Sequence, residues 1–168
     1  VAAWEGQSVR TSRSPVAVET FKLLGAVPNK DIALEEMNEA ADAGVISAGE
    51  STYVRIFPLD QDKSFKVVND TAHSLFLTSI IVNQDFVKQF DEQTQEIMAT
   101  AAFNAARKER RESVANIPEI LAECEAKGVE VVKMSADEQS KFKAVTSKVY
   151  EKFADYFTPG LVQKIQLH

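Results

Sequence analysis

The chain has a single cysteine, Cys124, so it forms no internal disulfide and no thiol-based metal cluster. Redox compartment therefore cannot be read from cysteine usage. Histidine is almost as scarce: His73 and the terminal His168 are the only two. That leaves little from which to assemble a catalytic base. There is no Gly-x-Ser-x-Gly elbow, no Walker loop, no His-Glu-x-x-His and no Gly-x-Gly-x-x-Gly. The expectation is that the protein is not an enzyme, with no cofactor and no metal site. Also lacking is any apolar run long enough to span a bilayer, so the chain is not expected to be membrane-embedded. The start, Val1 to Gly6, has neither an initiator methionine nor the basic and apolar regions of a signal peptide, as in a fragment or processed chain.

A basic face is absent too. The formal charge is −6, which argues against nucleic acid as the main partner. One dense basic cluster, Arg107-Lys108-Glu109-Arg110-Arg111, falls in a helical stretch and reads as a solvated face. What remains, 45% apolar and 26% charged residues over 168 positions, is ordinary for a globular protein. Such a length suffices for one domain or for part of a two-lobed protein.

The periodicities alternate between strand and helix. Gln7 to Thr11 reads as extended. Ser14-Pro15 is a helix start, with Ala17, Phe21 and Leu24 on one face and Gly25 as the stop. Val27-Pro28-Asn29 reads as a loop, Asp31 to Ala43 as a helix, and Val45 to Ala48 as a short buried strand. Further extended segments are expected at Phe65 to Asn69 and at Leu75 to Val82, the latter on its β-branched Ile80, Ile81 and Val82. Asn83 to Phe90 reads as a short helix. A long helix from Asp91 runs toward Glu125, kinked or split by Pro118, and Gly128 ends it. Val129 to Met134 follows as a strand. Ser135 with Glu138 forms a capping box for a last helix with Phe142, Val145, Val149 and Phe153 as its stripe, broken at Thr158-Pro159-Gly160. The fold class is α/β.

One local pattern points to chemistry. Val9-Arg10-Thr11-Ser12-Arg13-Ser14-Pro15 puts two arginines at the end of a strand and before a helix N-terminus. Ligands of open α/β sheets bind at the carboxyl ends of strands, and free N–H groups at a helix start favour anions. A guanidinium fork suits a carboxylate. The alternative is two surface arginines paired with acidic neighbours. His73, at the start of an extended segment, reads as a structural histidine satisfied by backbone groups.

The run Gly6-Gln7-Ser8-Val9-Arg10, then Ser14-Pro15-Val16 and Thr20 through Ala26, resembles solute-binding proteins of tripartite ATP-independent periplasmic (TRAP) transporters, DctP-like. Glu36 through Ser51 looks like that family's signature, Glu-x-x-x-Ala-Leu-x-x-Gly-Val-Val-Asp-Gly-x-Glu-Asn. His73-Ser74, Asp91-Glu92-Gln93 and Lys127 through Val131 follow in the expected order. The resemblance covers nearly the whole chain but corresponds to the C-terminal half of such a protein. It implies a periplasmic binding protein-like fold of two lobes closing on an organic acid for delivery to membrane subunits. On that basis residues 1–75 and 116–168 form the second lobe, and 76–115 a strand and helix of the first. A sensor or signalling role for the same fold is the alternative. The resemblance makes Arg10 the ligand carboxylate clamp and Arg13 a further ligand contact. Leu34 falls where an aromatic often packs on the ligand, and Glu50 matches the signature glutamate. Ser47 and Ser51 stand where the family has Asp and a carboxylate-binding Asn; a serine hydroxyl is shorter and presents no amide. Arg13 or Arg55 would compensate, unless Arg55 is merely a surface residue.

If the upstream lobe is missing, Leu75 to Ala115 exposes apolar surface with no sheet to join. Expressed alone, residues 1–168 are expected to fold poorly, self-associate or bind the missing half. Light scattering with thermal melting checks this, and a monodisperse, cooperatively melting monomer would contradict it.

Overall fold

The computed structural model describes residues 2–166, so His168 lies outside the described residues. Two small parallel sheets carry the fold. The first has the order β2-β1-β3, built from β1 (Ser8–Arg10), β2 (Val27–Asn29) and β3 (Ala48–Gly49). Between β1 and β2 runs α1 (Pro15–Leu23), with Ser14 at its N-cap, Pro15 as first residue and Gly25 at φ +85° just past its end. The left-handed turn at Gly25 suits a residue without Cβ. The cap at Ser14 is positional only, because its hydroxyl makes no capping hydrogen bond.

Val27-Pro28-Asn29, expected as a loop, is instead an edge strand, and proline is tolerated there for a definable reason. Val27 N–H donates to Gln7 O, and Asn29 O accepts from Thr11 N–H, so alternate backbone groups face β1. The missing N–H of Pro28 falls on the open side.

The helix expected over 31–43 contracts to α2 (Met37–Asp42). Residues 33–37 form tight turns instead, with Glu36 N–H donating to Ala33 O and the Glu36 carboxylate accepting from Ala33 N–H at 2.9 Å. A short 3-10 turn at Tyr53–Arg55 and α3 (Gln61–Ser64) lead into the second sheet. That sheet pairs β4 (Val67–Asp70) with β5 (Glu130–Lys133) in parallel register.

The connection between β4 and β5 contains the largest departure from expectation. Leu75 to Val82 forms no strand: Leu75 is 81% exposed and Ile81 89%, with no ladder partner among the described residues. β-branched content favours a strand only where a neighbouring edge exists to pair with. Next come α4 (Gln84–Val87), capped by the Asn83 side chain, and α5 (Glu92–Ala115), capped by Asp91 on Thr94 N–H at 2.7 Å. Pro118 splits the long helical run as expected: α6 (Ile117–Ala126) restarts after Asn116 with the proline in its first turn. After β5, the Ser135–Glu138 capping box opens α7 (Ala136–Thr146). The last helix is shorter than its stripe suggested, breaking at Ser147 into α8 (Lys148–Lys152). A final helix, α9 (Leu161–Gln166), follows Thr158-Pro159-Gly160.

Two apolar clusters hold these elements. Val9, Phe21, Leu24, Ala26 and Phe142 join the first sheet to α1 and α7. Ile56, Cys124 and Val129 join the second sheet to α6. Lys152 on α8 meets Glu19 on α1 at 2.7 Å, a partly exposed pair of secondary weight. Phe21→Ala removes a side chain that is 2% exposed at the centre of the first cluster. A loss of about 3–5 kcal/mol is expected in chemical denaturation, and an unchanged midpoint would place the core elsewhere.

Candidate functional site

Because β1 and β3 are parallel, the residues leaving their carboxyl ends emerge side by side. Arg10 and Thr11 leave β1; Glu50 and Ser51 leave β3. Glu50 N–H donates to Arg10 O at 2.9 Å, fixing the two ends together.

The Glu50 carboxylate is the most constrained group here. Oε2 accepts from the fully buried Thr11 hydroxyl at 2.7 Å and from Ser12 N–H at 3.3 Å. His73 Nε2 lies 3.4 Å from Oε1. Burial by itself would raise the carboxyl pKa, but the hydrogen bonds from His73, Thr11 and Ser12 outweigh it and bring the group down to about 2. The other ring nitrogen of His73 lies 2.7 Å from Thr71 Oγ1, and the ring packs edge-on against Phe21 with centroids 5.5 Å apart. The histidine is therefore held by side chains and joined to Glu50, contrary to the expected backbone anchoring.

Arg10 is half-buried, with Nε donating to Ile32 O at 3.1 Å. Burial lowers its pKa, opposed by the fields of Glu50 and Glu35; a guanidinium nevertheless stays charged at neutral pH. No ion pair holds Arg10 among the described residues, which leaves its terminal nitrogens open to an acceptor.

The other residues singled out from the sequence are dispersed around this pair. Arg13 is exposed in the bend before α1. Leu34 is half-buried in the turn before α2, two residues beyond the carbonyl that holds Arg10. Ser47 donates to Gln7 Oε1 at 2.7 Å. Ser51 donates to Gln61 Oε1 at 2.7 Å and faces a cavity of about 530 Å³ that Arg10 does not line. Arg55 stacks over the Phe76 ring at 4.3 Å and lies near enough to Arg10 for its charge to help lower the Arg10 pKa. Thr11 escaped the sequence reading altogether: one buried hydroxyl carries no pattern of its own, and its only signal is its place directly after Arg10.

No group of three metal-ligating side chains gathers among the described residues. Burial pushes the Cys124 thiol up, and the side chain packs under β5 as a small apolar residue. No helix of the described chain is long and apolar enough to cross a membrane.

A family model described as bacterial extracellular solute-binding protein, family 7 (DctP), matches residues 1–156. The ectoine-binding periplasmic protein TeaA of Halomonas elongata is 26% identical over 158 residues, covering 90% of this chain and 45% of the relative. Among solved structures, a TRAP periplasmic solute-binding protein from Roseobacter denitrificans with bound 3-deoxy-D-manno-oct-2-ulosonic acid superposes with TM-score 0.88 at 23% identity, over 98% of this chain and 53% of that one. A TRAP periplasmic solute-binding protein from Xanthobacter autotrophicus with bound β-D-galacturonate gives TM-score 0.87 at 21% identity, over 98% and 53%. At those identities the structures establish the fold. The chain spans about half the length of the relatives it matches.

The depressed Glu50 pKa fixes a pH dependence. A carboxylate whose folded pKa lies near 2 contributes its stability in full above the unfolded value, near 4.5, and loses it as pH falls toward 2. Allowing for solvent screening of a partly exposed group, the contribution is about 2 kcal/mol. Denaturation curves of the wild type and Glu50→Gln are expected to differ by about that amount at pH 6 and to converge near pH 2. Parallel profiles across that window would show that the network does not stabilise the ionised form.

Proposed function

We propose, from the premise that this chain belongs to the bacterial extracellular solute-binding proteins of family 7, that it is the ligand-gripping part of a periplasmic receptor for an organic acid, delivering its cargo to the membrane subunits of a TRAP transporter. The observation that carries the reading is Arg10: a half-buried guanidinium at the carboxyl end of a parallel strand, tethered by one nitrogen and unpaired on the others. Two of the structurally similar proteins hold sugar acids, and a carboxylate is the group a planar guanidinium receives bidentately.

In this reading Arg10 is the clamp. The Ile32 carbonyl orients its plane, and partial burial strengthens the charge-assisted bond by excluding water. Leu34, next to that carbonyl, supplies apolar contact with the carbon skeleton. Arg13 at the bend before α1 adds positive potential at the mouth. Glu50 Oε2 already accepts from Thr11 and Ser12 N–H, and its role is to hold both in place behind Arg10. Ser51 stands where a longer amide would reach the ligand, but its hydroxyl turns to Gln61.

The receptor reading also requires a second lobe, since a single face cannot enclose an acid; closure about a hinge would bury it. Residues 1–75 and 116–168 are assigned to the lobe bearing Arg10, and 76–115 to the other. The exposure of Leu75, Ile80 and Ile81, and the lack of any buried residue along α5, support that division.

The test is a thermal-shift screen of the full-length protein against sugar acids, four-carbon dicarboxylates, keto acids and aromatic acids. A ligand that binds only the folded state raises the melting temperature. Arg10→Ala is expected to weaken binding of the acid so found by about 100-fold or more in calorimetry, as for loss of a buried charge-assisted pair, with Arg10→Lys intermediate. Wild-type affinity in Arg10→Ala would remove the clamp.

A further inference from the structure

Two half-buried guanidinium groups stand near each other beyond the carboxyl edge of the first sheet, and no ion pair among the described residues neutralises either. Arg10 ends β1, and its carbonyl accepts from Glu50 N–H at the end of β3. The chain then folds back on itself: Arg55 N–H donates to Thr52 O at 3.0 Å, closing the turn Tyr53–Arg55. That turn keeps Arg55 beside the two strand ends. Burial lowers the Arg10 pKa, and the like charge of Arg55 acts in the same direction.

The anions nearby do not relieve this repulsion. Glu50 is tied to Thr11, Ser12 N–H and His73. Glu35 is exposed and pairs with neither arginine. Arg55 is nevertheless held in place, its guanidinium carbon 4.3 Å from the centroid of the Phe76 ring. Stacking uses one face of the guanidinium plane, whereas its N–H donors point outward along the edges and stay open. A solvated surface arginine would keep its head group in water, and this one rests on an aromatic. Ser51, four residues earlier, has its hydroxyl engaged by Gln61.

We infer that Arg55 is a second anion-binding residue of the Arg10 site, so that the cargo carries two oxyanionic groups: a carboxylate held by Arg10 and a further carboxylate or phosphate held by Arg55. The inference rests on the reading of Arg10 as the clamp. Two unpaired cations in a partly dehydrated place repel each other until an anion lies near both. A monoacid would satisfy one guanidinium and leave the other without a partner. The subsite is separate from the cavity of about 530 Å³, which neither arginine lines. Phe76 sets where the second group must sit, because it fixes the plane of the Arg55 fork.

Calorimetry with matched pairs of acids tests this on the longest natural chain containing these residues. Succinate is compared with butyrate, malate with 3-hydroxybutyrate, galactarate with galacturonate, and 3-phosphoglycerate with glycerate. The last pair separates a phosphate from a second carboxylate. In at least one pair the doubly acidic member is expected to bind about 10-fold or more tighter, as for one added charge-assisted hydrogen bond. Arg55→Gln is expected to abolish that preference and to leave the monoacid within about twofold of its wild-type affinity, with Arg55→Lys keeping part of the preference. Equal affinities within every pair, or no binding by any doubly acidic member, overturn the inference. So does a preference that survives Arg55→Gln, or an amino acid that binds more tightly than the diacids. Should Arg55→Gln not fold, Phe76→Leu replaces it: loss of the platform is expected to reduce the preference by about threefold, and an unchanged preference overturns the assignment. Arg10→Gln separates the two readings. If it spares both members of a pair while Arg55→Gln still abolishes the preference, the clamp fails and the second anion contact stands.

Discussion

The direction in which β1 and β3 run controls most of what this molecule can do. In parallel neighbours, the residues that follow the two strands leave on the same side, so Thr11 and Glu50 meet there. The 2.7 Å bond between them ties two connections that are far apart in sequence. A carboxylate in that position would be costly without donors. Thr11, Ser12 N–H and His73 supply them, and the histidine in turn rests on Phe21 in the apolar core. Arg10 thus sits on a framework fixed from below by packing and from beside by hydrogen bonds, which is what a preorganised binding group needs.

The shortening of α2 bears on the same residue. Had residues 31–43 formed one α-helix, the Ile32 carbonyl would accept from Glu36 N–H. In the tight turns that replace its first part, Glu36 N–H goes to Ala33 O instead. The Ile32 carbonyl is left free and accepts from Arg10 Nε. A locally weaker helix therefore buys an oriented guanidinium. The same change takes Leu34 off a helix face and sets it in the turn beside that carbonyl.

Short-range signals in the sequence read well and long-range ones poorly. Ser14-Pro15, Asp91, Pro118 and the Ser135–Glu138 box all lie where their local chemistry places them, because a cap or a helix start is decided within four residues. Val27-Pro28-Asn29 was opaque since Pro28 argues against a strand unless one knows that its missing N–H faces an open edge. The break at Ser147 was hidden by an apolar stripe that continues through it to Phe153. At the candidate site, the position of Arg10 at a strand end before a helix start was legible from the local pattern. The Thr11–Glu50–His73 network was not, since its members lie 39 and 23 residues apart and only the sheet brings them together.

Leu75 to Val82 marks the point where sequence and surroundings part. Its composition asks for a sheet, and the described chain offers it none. The same shortage recurs nearby: α5 has 24 residues and buries none of them, although Ile97, Phe103 and Val114 are each at least 60% exposed. Isolated exposed apolar residues are ordinary, but an unpaired strand-forming stretch followed by a long helix with no buried residue makes a region short of packing partners. Capping and side-chain pairs can hold α5 as a helix, yet they give these apolar residues nothing to pack against. The region that lacks a sheet follows directly after β4, whose own edge is open. A single additional body beside β4 would answer both needs.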